Sequence, residues 1–131
     1  VAFVLSTKDM NNGGHRYELF KSEMTDYELK PDVYFSDGQI LEIARHKIRI
    51  IHVPGHTPAS SLLVMDEKIV FTGDSMIEGN KIITSFRGGN KDDMLYIAIP
   101  RLKQLPDDLM VLPGHGEPFR KEQFDFNIYN V

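Results

Sequence analysis

The chain has no cysteine, so no disulfide can staple it and no thiolate can hold a metal in it. It has no run approaching the roughly 20 apolar residues of a membrane-spanning helix. Its opening, VAFVL, is apolar for only five residues, with no basic region before it and no small-residue cleavage site after it, so it does not read as a secretory leader. There is no glycine-rich phosphate loop and no Gly-x-Ser-x-Gly elbow, which removes the usual signatures of nucleotide binding and serine hydrolysis. Acidic residues outnumber basic ones, 19 to 15. The net charge of −4 argues against a large nucleic-acid surface. Together these absences point to a chain of the reducing cytoplasm, with no membrane partner and with nucleic acid disfavoured.

What is present fits a packed core. Of 131 residues, 41% are hydrophobic and 26% charged, the balance of a globular domain. The first residue is valine and the chain opens inside a strand-like run, so residues 1–131 are expected to form a single, partial domain cut from a longer one. Val1–Leu5 reads as a strand. Ser6–Lys30 is polar, with a turn at Asn11–Gly14 and a loose apolar spacing from Tyr17 to Tyr27 that suits a short helix. Val33–Phe35 and Ile40–Ala44 flank an Asp37-Gly38 turn and suggest a hairpin. Lys47–Val53 alternates as a strand does.

A second hairpin is expected from Ser60–Met65 and Lys68–Thr72 around Asp66-Glu67, and a further short strand over Ile82–Thr84. Asn90, followed by Asp92 and Asp93, marks a helix start. Met94, Leu95, Ala98, Leu102 and Leu105 continue at helical spacing, with Pro100 placed to kink or split the helix. Met110–Leu112 reads as a buried strand, and the residues after Phe119 as a terminal helix or loop. The class is therefore β-rich α/β, with strands that feed polar loops.

Three of those loops share one design. PGHT (Pro54–Thr57), TGDS (Thr72–Ser75) and PGHG (Pro113–Gly116) each follow a strand and place one metal-capable side chain beside a glycine. The glycine lets the backbone turn sharply; the side chain then projects from a rigid strand end. Taken singly, His56, Asp74 and His115 each have an ordinary structural explanation. Three loops of the same design shift the balance, because two imidazoles and a carboxylate are good ligands for zinc, iron or manganese.

HVPGHTPAS, VFTGDSM and VLPGHGEP resemble the three later metal motifs of the metallo-β-lactamase fold hydrolases, above all the short glyoxalase II-like members. The resemblance runs over roughly Asp32 to Asn127. It implies an α+β fold, the C-terminal half of an αββα sandwich with a mostly antiparallel sheet and flanking helices. It also implies that His56 completes one metal site, His115 completes a second, and Asp74 bridges the two, so that these three residues are both the metal ligands and the catalytic set. Thr57 and Ser75 would support them by hydrogen bonds. Ala59 stands where many relatives carry glycine. His52 matches a position where relatives often carry a histidine that is not a ligand, and its place on a strand suits a packed or hydrogen-bonded role. His15 and His46 lie in polar surroundings and read as surface residues.

The family's first motif, His-x-His-x-Asp-His, is not in this sequence. The complete form would hold two zinc ions, with iron or manganese possible, and would use a metal-bound hydroxide against an ester or thioester carbonyl of a small-molecule substrate. The chain as given would hold its metals weakly. It would also expose one apolar sheet face, to be covered by the missing N-terminal half or by self-association. The loop Met76–Gly89 lacks an aromatic and cationic pattern suited to glutathione; Lys81 and Arg87 are its nearby cations. Other readings stay open: a non-catalytic half-domain that binds a partner, a phosphodiesterase, or an iron-dependent sulfur dioxygenase of the same fold.

Overall fold

The computed structural model describes residues 4–6, 33–86 and 88–129. The helix expected around Tyr17–Tyr27, His15 and Arg87 lie outside the described residues. In chain order the strands are β1 (Val4–Ser6), β2 (Val33–Phe35), β3 (Ile40–Ile43), β4 (His46–His52), β5 (Ser61–Met65), β6 (Ile69–Gly73), β7 (Met110–Pro113) and β8 (Phe119–Arg120). Between β6 and β7 runs one helical stretch: α1 (Lys91–Asp93), a π-helical turn (Met94–Ala98) and α2 (Ile99–Lys103). Strands β3 to β8 form one sheet in sequence order, antiparallel at every pairing except β6 with β7. This is the expected mostly antiparallel α+β arrangement.

The hairpin expected from Val33–Phe35 and Ile40–Ala44 does not form. β2 pairs in parallel with β1 in a separate two-stranded sheet, and β3 pairs with β4. The Asp37-Gly38 turn exists, but its groups are committed to β4. The Gly38 amide donates to the Ile50 carbonyl, and the Asp37 carboxylate accepts from the His52 amide. β3 instead turns back at once through Ala44 and Arg45, at φ 49° and 69°. That is the backbone hand that fits a two-residue hairpin, reached here without glycine. The hairpin around Asp66 and Glu67 forms as expected, with both residues again at positive φ.

Ile82–Thr84 is not a strand; the Ile82 amide donates to the Tyr129 hydroxyl rather than to a ladder. Pro100 does not split the helix. It has no N–H to give the preceding turn, and the chain widens there into the π-helical turn, with the Ile99 amide bonded to the Met94 carbonyl. Asn90 caps the start, its side-chain oxygen accepting from the Asp92 and Asp93 amides. After Phe119 the chain makes β8 and two short 3₁₀ turns; a two-residue strand leaves too little pattern to be read in advance.

One face of the sheet is the core face. Leu62, Val64, Val70, Val111 and Phe119 pack there against Met94, Ala98, Leu102 and Leu105 of the helical stretch. Burying one such side chain stabilises by about 1.5–3 kcal/mol, so this layer anchors the strand ends above it. By register the opposite face carries Ile48, Ile50, Leu63, Met65, Ile69, Phe71, Met110 and Leu112. Ile50 is buried on that side, but Phe71 is 38% exposed, and apart from Ile50 none of these side chains is in the fully buried set.

Candidate active site

β4, β6 and β7 run in one direction, because β4 and β6 are each antiparallel to β5, and β7 is parallel to β6. Their C-terminal ends therefore open at one end of the sheet, and the three glycine-containing loops rise from it side by side. Gly73 pairs with Pro113 across β6 and β7, and the Gly114 amide donates to the Gly73 carbonyl. This locks the loop that carries His115 to the loop that carries Asp74.

The three side chains singled out from the sequence meet here. His56 Nε2 lies 3.3 Å from Asp74 Oδ2, and His115 Nε2 lies 3.3 Å from Asp74 Oδ1. One carboxylate thus faces two imidazoles, one on each oxygen. His56 is buried at 7% side-chain exposure, Asp74 is at 26%, and His115 stands out at 74%. The site is a wall with one deep and one open corner.

His56 Nδ1 is 2.7 Å from the Ile83 carbonyl oxygen. A carbonyl can only accept, so Nδ1 carries the proton and donates. In a neutral ring, the nitrogen turned toward Asp74, Nε2, would then be the one with the lone pair. A lone pair and a carboxylate oxygen repel each other across 3.3 Å unless a cation or proton lies between them. The spacing itself suits a metal: bonds of about 2.0–2.2 Å at tetrahedral angles set neighbouring ligand atoms about 3.4 Å apart. The donor set is nonetheless open. Among the described residues, no three His, Asp or Glu side chains gather in a way that could hold a single ion. The arrangement is two donor pairs that share one carboxylate, each of which needs further ligands.

Glycine makes this close approach possible at two places. A Cβ on Gly114 would lie 2.6 Å from Asp74 Oδ1, where the carboxylate now sits. A Cβ on Gly55, whose φ is +143°, would lie 2.7 Å from Met94 Cβ. The loop of His56 is thereby pressed onto the first turns of the helical stretch, and the Asn90 amide donates to the Gly55 carbonyl.

His52 sits apart from the carboxylate. Its Nε2 donates to the Pro58 carbonyl at 2.8 Å, tying the far side of the His56 loop back to the strand. Its amide donates to Asp37, and its carbonyl accepts from Arg101, which also pairs with Asp37 at 2.9 Å. Partial burial pushes the Asp37 carboxyl up, but the His52 amide and the Arg101 guanidinium outweigh it and hold it below the usual range. Thr57 bonds to Ser60 within its own loop, through both its amide and its hydroxyl. Ser75 is buried beside Asp74. His46 is on the surface, paired with Asp66 at 2.6 Å.

Three features of the site were not legible in advance. The Ile83 carbonyl is a backbone group, and no side-chain pattern marks it. The Arg101–Asp37–His52 clamp joins segments far apart in sequence. Phe86 places its ring edge-on to His56, with centroids 6.1 Å apart, and is 58% exposed at the site's mouth. Its one advance signal was an aromatic residue in an otherwise polar loop.

The sequence and fold have relatives among known proteins. Residues 4–115 match the family model described as the metallo-beta-lactamase superfamily. Over 88 residues the chain is 33% identical to the hydroxyacylglutathione hydrolase GloC of Haemophilus influenzae, which covers 66% of this chain and 42% of that protein. It therefore spans about two fifths of the length of that relative. Among solved structures, the BLEG-1 B3 metallo-beta-lactamase superposes with a TM-score of 0.74 at 25% identity, over 94% of this chain and 61% of that one. A protein solved in a di-iron-bound form, TTHA1623, gives 0.70 at 21% identity, again over 94% of this chain and 61% of that one. With strand-end loops, a shared carboxylate and a family model spanning most of its length, the chain belongs to the metallo-beta-lactamase superfamily.

Proposed function

We propose that the chain is the metal-binding C-terminal part of a hydrolase that cleaves an ester or thioester, with a hydroxyacyl-glutathione-type thioester as the leading substrate. The observation that carries this reading is the Asp74 carboxylate, with one imidazole nitrogen 3.3 Å from each of its oxygens. The name of the Haemophilus influenzae relative supports the substrate class.

His56 and Asp74 would hold one ion, and Asp74 and His115 the other, with zinc the leading candidate and iron or manganese as alternatives. A bound metal of this kind supplies Lewis acidity, polarising a carbonyl and acidifying water. The protein's part is to aim its donors. The Ile83 carbonyl fixes the His56 ring, and the Gly114 gap admits the Asp74 carboxylate. Asp74 would place one negative charge between the two pairs.

The remaining ligands would come from the first motif, which this sequence lacks, so the N-terminal half of the sandwich would complete the site and cover the apolar face that bears Phe71. Self-association through that face is the alternative cover. A non-catalytic binding role remains the second reading, favoured by the missing motif alone.

The test is hydrolysis of a hydroxyacyl-glutathione thioester with added zinc. It compares this chain alone with this chain mixed with the corresponding N-terminal portion of the GloC relative. The expected result is little or no turnover alone, and zinc-dependent turnover in the mixture that Asp74→Ala reduces at least about 100-fold. Zinc-independent turnover, or a stable mixed complex without turnover, would overturn the reading.

A further inference from the structure

The segment from Lys81 to Ser85 belongs to no strand or helix, so no regular ladder holds its amide groups in place. Yet its Ile83 carbonyl makes the hydrogen bond that sets the orientation of the His56 ring. One residue earlier, the Ile82 amide donates to the hydroxyl of Tyr129, which lies 47 residues further along the chain. Tyr129 is half-buried and packs against the core, and Ile82 is itself buried at 7% exposure. Burial pushes the Tyr129 phenol up from its ordinary value, with the Ile82 amide acting against that, so the hydroxyl stays protonated at neutral pH. The phenol is thus an acceptor on a packed ring, 3.4 Å from the Ile82 nitrogen of an irregular backbone segment.

We infer that Tyr129 is a positioning residue for His56: by holding the Ile82 amide it sets the Ile83 carbonyl, and through it the imidazole that faces Asp74. The chain of contacts is short and directional. Tyr129 accepts from Ile82, the two isoleucines share a peptide bond, and Ile83 accepts from His56. Partners that fix the tautomer and ring plane of a metal-ligating histidine affect metal affinity strongly, by about 10- to 100-fold where they touch the ring directly. One step further back, the effect should be smaller but in the same direction. This inference rests on the reading of His56 as a metal ligand, but its first readout does not depend on metal.

The experiment is Tyr129→Phe, which keeps the packed ring and removes only the acceptor. Long-range ¹H–¹⁵N correlation at about pH 8, above the ordinary histidine range, reports which His56 nitrogen carries the proton. Wild type should show the Nδ1–H form alone. Tyr129→Phe should show a mixture with the Nε2–H form, and zinc affinity about three- to tenfold weaker. Leu109→Val, a core truncation on another segment, should lower stability while leaving both readouts unchanged. A wild-type tautomer pattern in Tyr129→Phe overturns the inference. Failure of zinc to bind wild type would count against the metal reading, while the tautomer comparison would still decide this one. Should Tyr129→Phe not fold, amide exchange in wild type decides: the Ile82 amide must be protected well beyond that of Lys81, and equal exchange of the two overturns the inference.

Discussion

Gly114 shows how little atomic room the site has. A single methyl there would lie 2.6 Å from Asp74 Oδ1. Gly114→Ala should therefore push the carboxylate off the His115 side first, and weaken zinc binding by about tenfold or more. It should cost only about 1–3 kcal/mol of stability, because the closest atom is the end of the Asp74 side chain, which can swing away. A zinc titration beside a thermal melt separates the two effects; unchanged affinity would mean that the carboxylate position is immaterial. The meeting of His56, Asp74 and His115 was legible in the sequence because each is a ligand-type side chain at a strand end. The supporting groups were not, because they are a backbone carbonyl and an empty space.

Acid should act on the paired surface carboxylates. Glu67 is held below the ordinary carboxylate range by Arg49, and Asp66 by the His46 ring and the Lys47 amide. Asp37 is also lowered on balance. Each carboxyl has a lower pKa folded than unfolded, so its contribution is present at neutral pH and is lost as pH falls through about 4 and below. These groups are largely exposed, so solvent screens them and the total effect should be small. Melting temperature should fall between about pH 5 and 3, and Glu67→Gln should flatten part of that fall. A melting curve that ignores this substitution would show that the Arg49 pair contributes nothing.

At the scale of elements, the helical stretch and the His56 loop behave as one unit. Gly55 lies against Met94, and the Asn90 amide bonds the Gly55 carbonyl while the Asn90 side chain caps the helix. Asn90→Ala should cost about 1 kcal/mol through the lost cap. Gly55→Ala should cost more, about 2–4 kcal/mol, since it adds both a clash and a strained backbone. Denaturant melts of the two variants check the order, and the reverse order would mean that the loop and helix are not tightly docked.

The start of this helix was legible because a cap residue and two acids form a local signal. The β2–β3 hairpin was misread for the complementary reason. A strong local turn at Asp37-Gly38 was overruled by bonds to Ile50 and His52, which only the folded sheet brings near. Ala44 and Arg45 make a tight turn with no glycine or asparagine to announce it.

For the molecule as a whole, the sheet has a packed face and a second apolar face with Phe71 still 38% exposed. In the proposed reading, the N-terminal half of the sandwich would cover that face and supply the first motif. The fold class was legible because three strand-end motifs occur in a fixed order. A partner for the second face was not, because an apolar surface specifies shape and area but carries no name.

In the proposed site, His56, Asp74 and His115 would be metal ligands joined by one carboxylate. The most direct test is a zinc titration of the chain followed by ¹H–¹⁵N spectra of the histidine rings, in wild type and in Asp74→Ala. The account predicts weak, saturable binding that moves the Nε2 signals of His56 and His115 together, leaves His52 in place, and disappears in Asp74→Ala. Zinc that moves neither ring, or that binds Asp74→Ala as well as wild type, would contradict it.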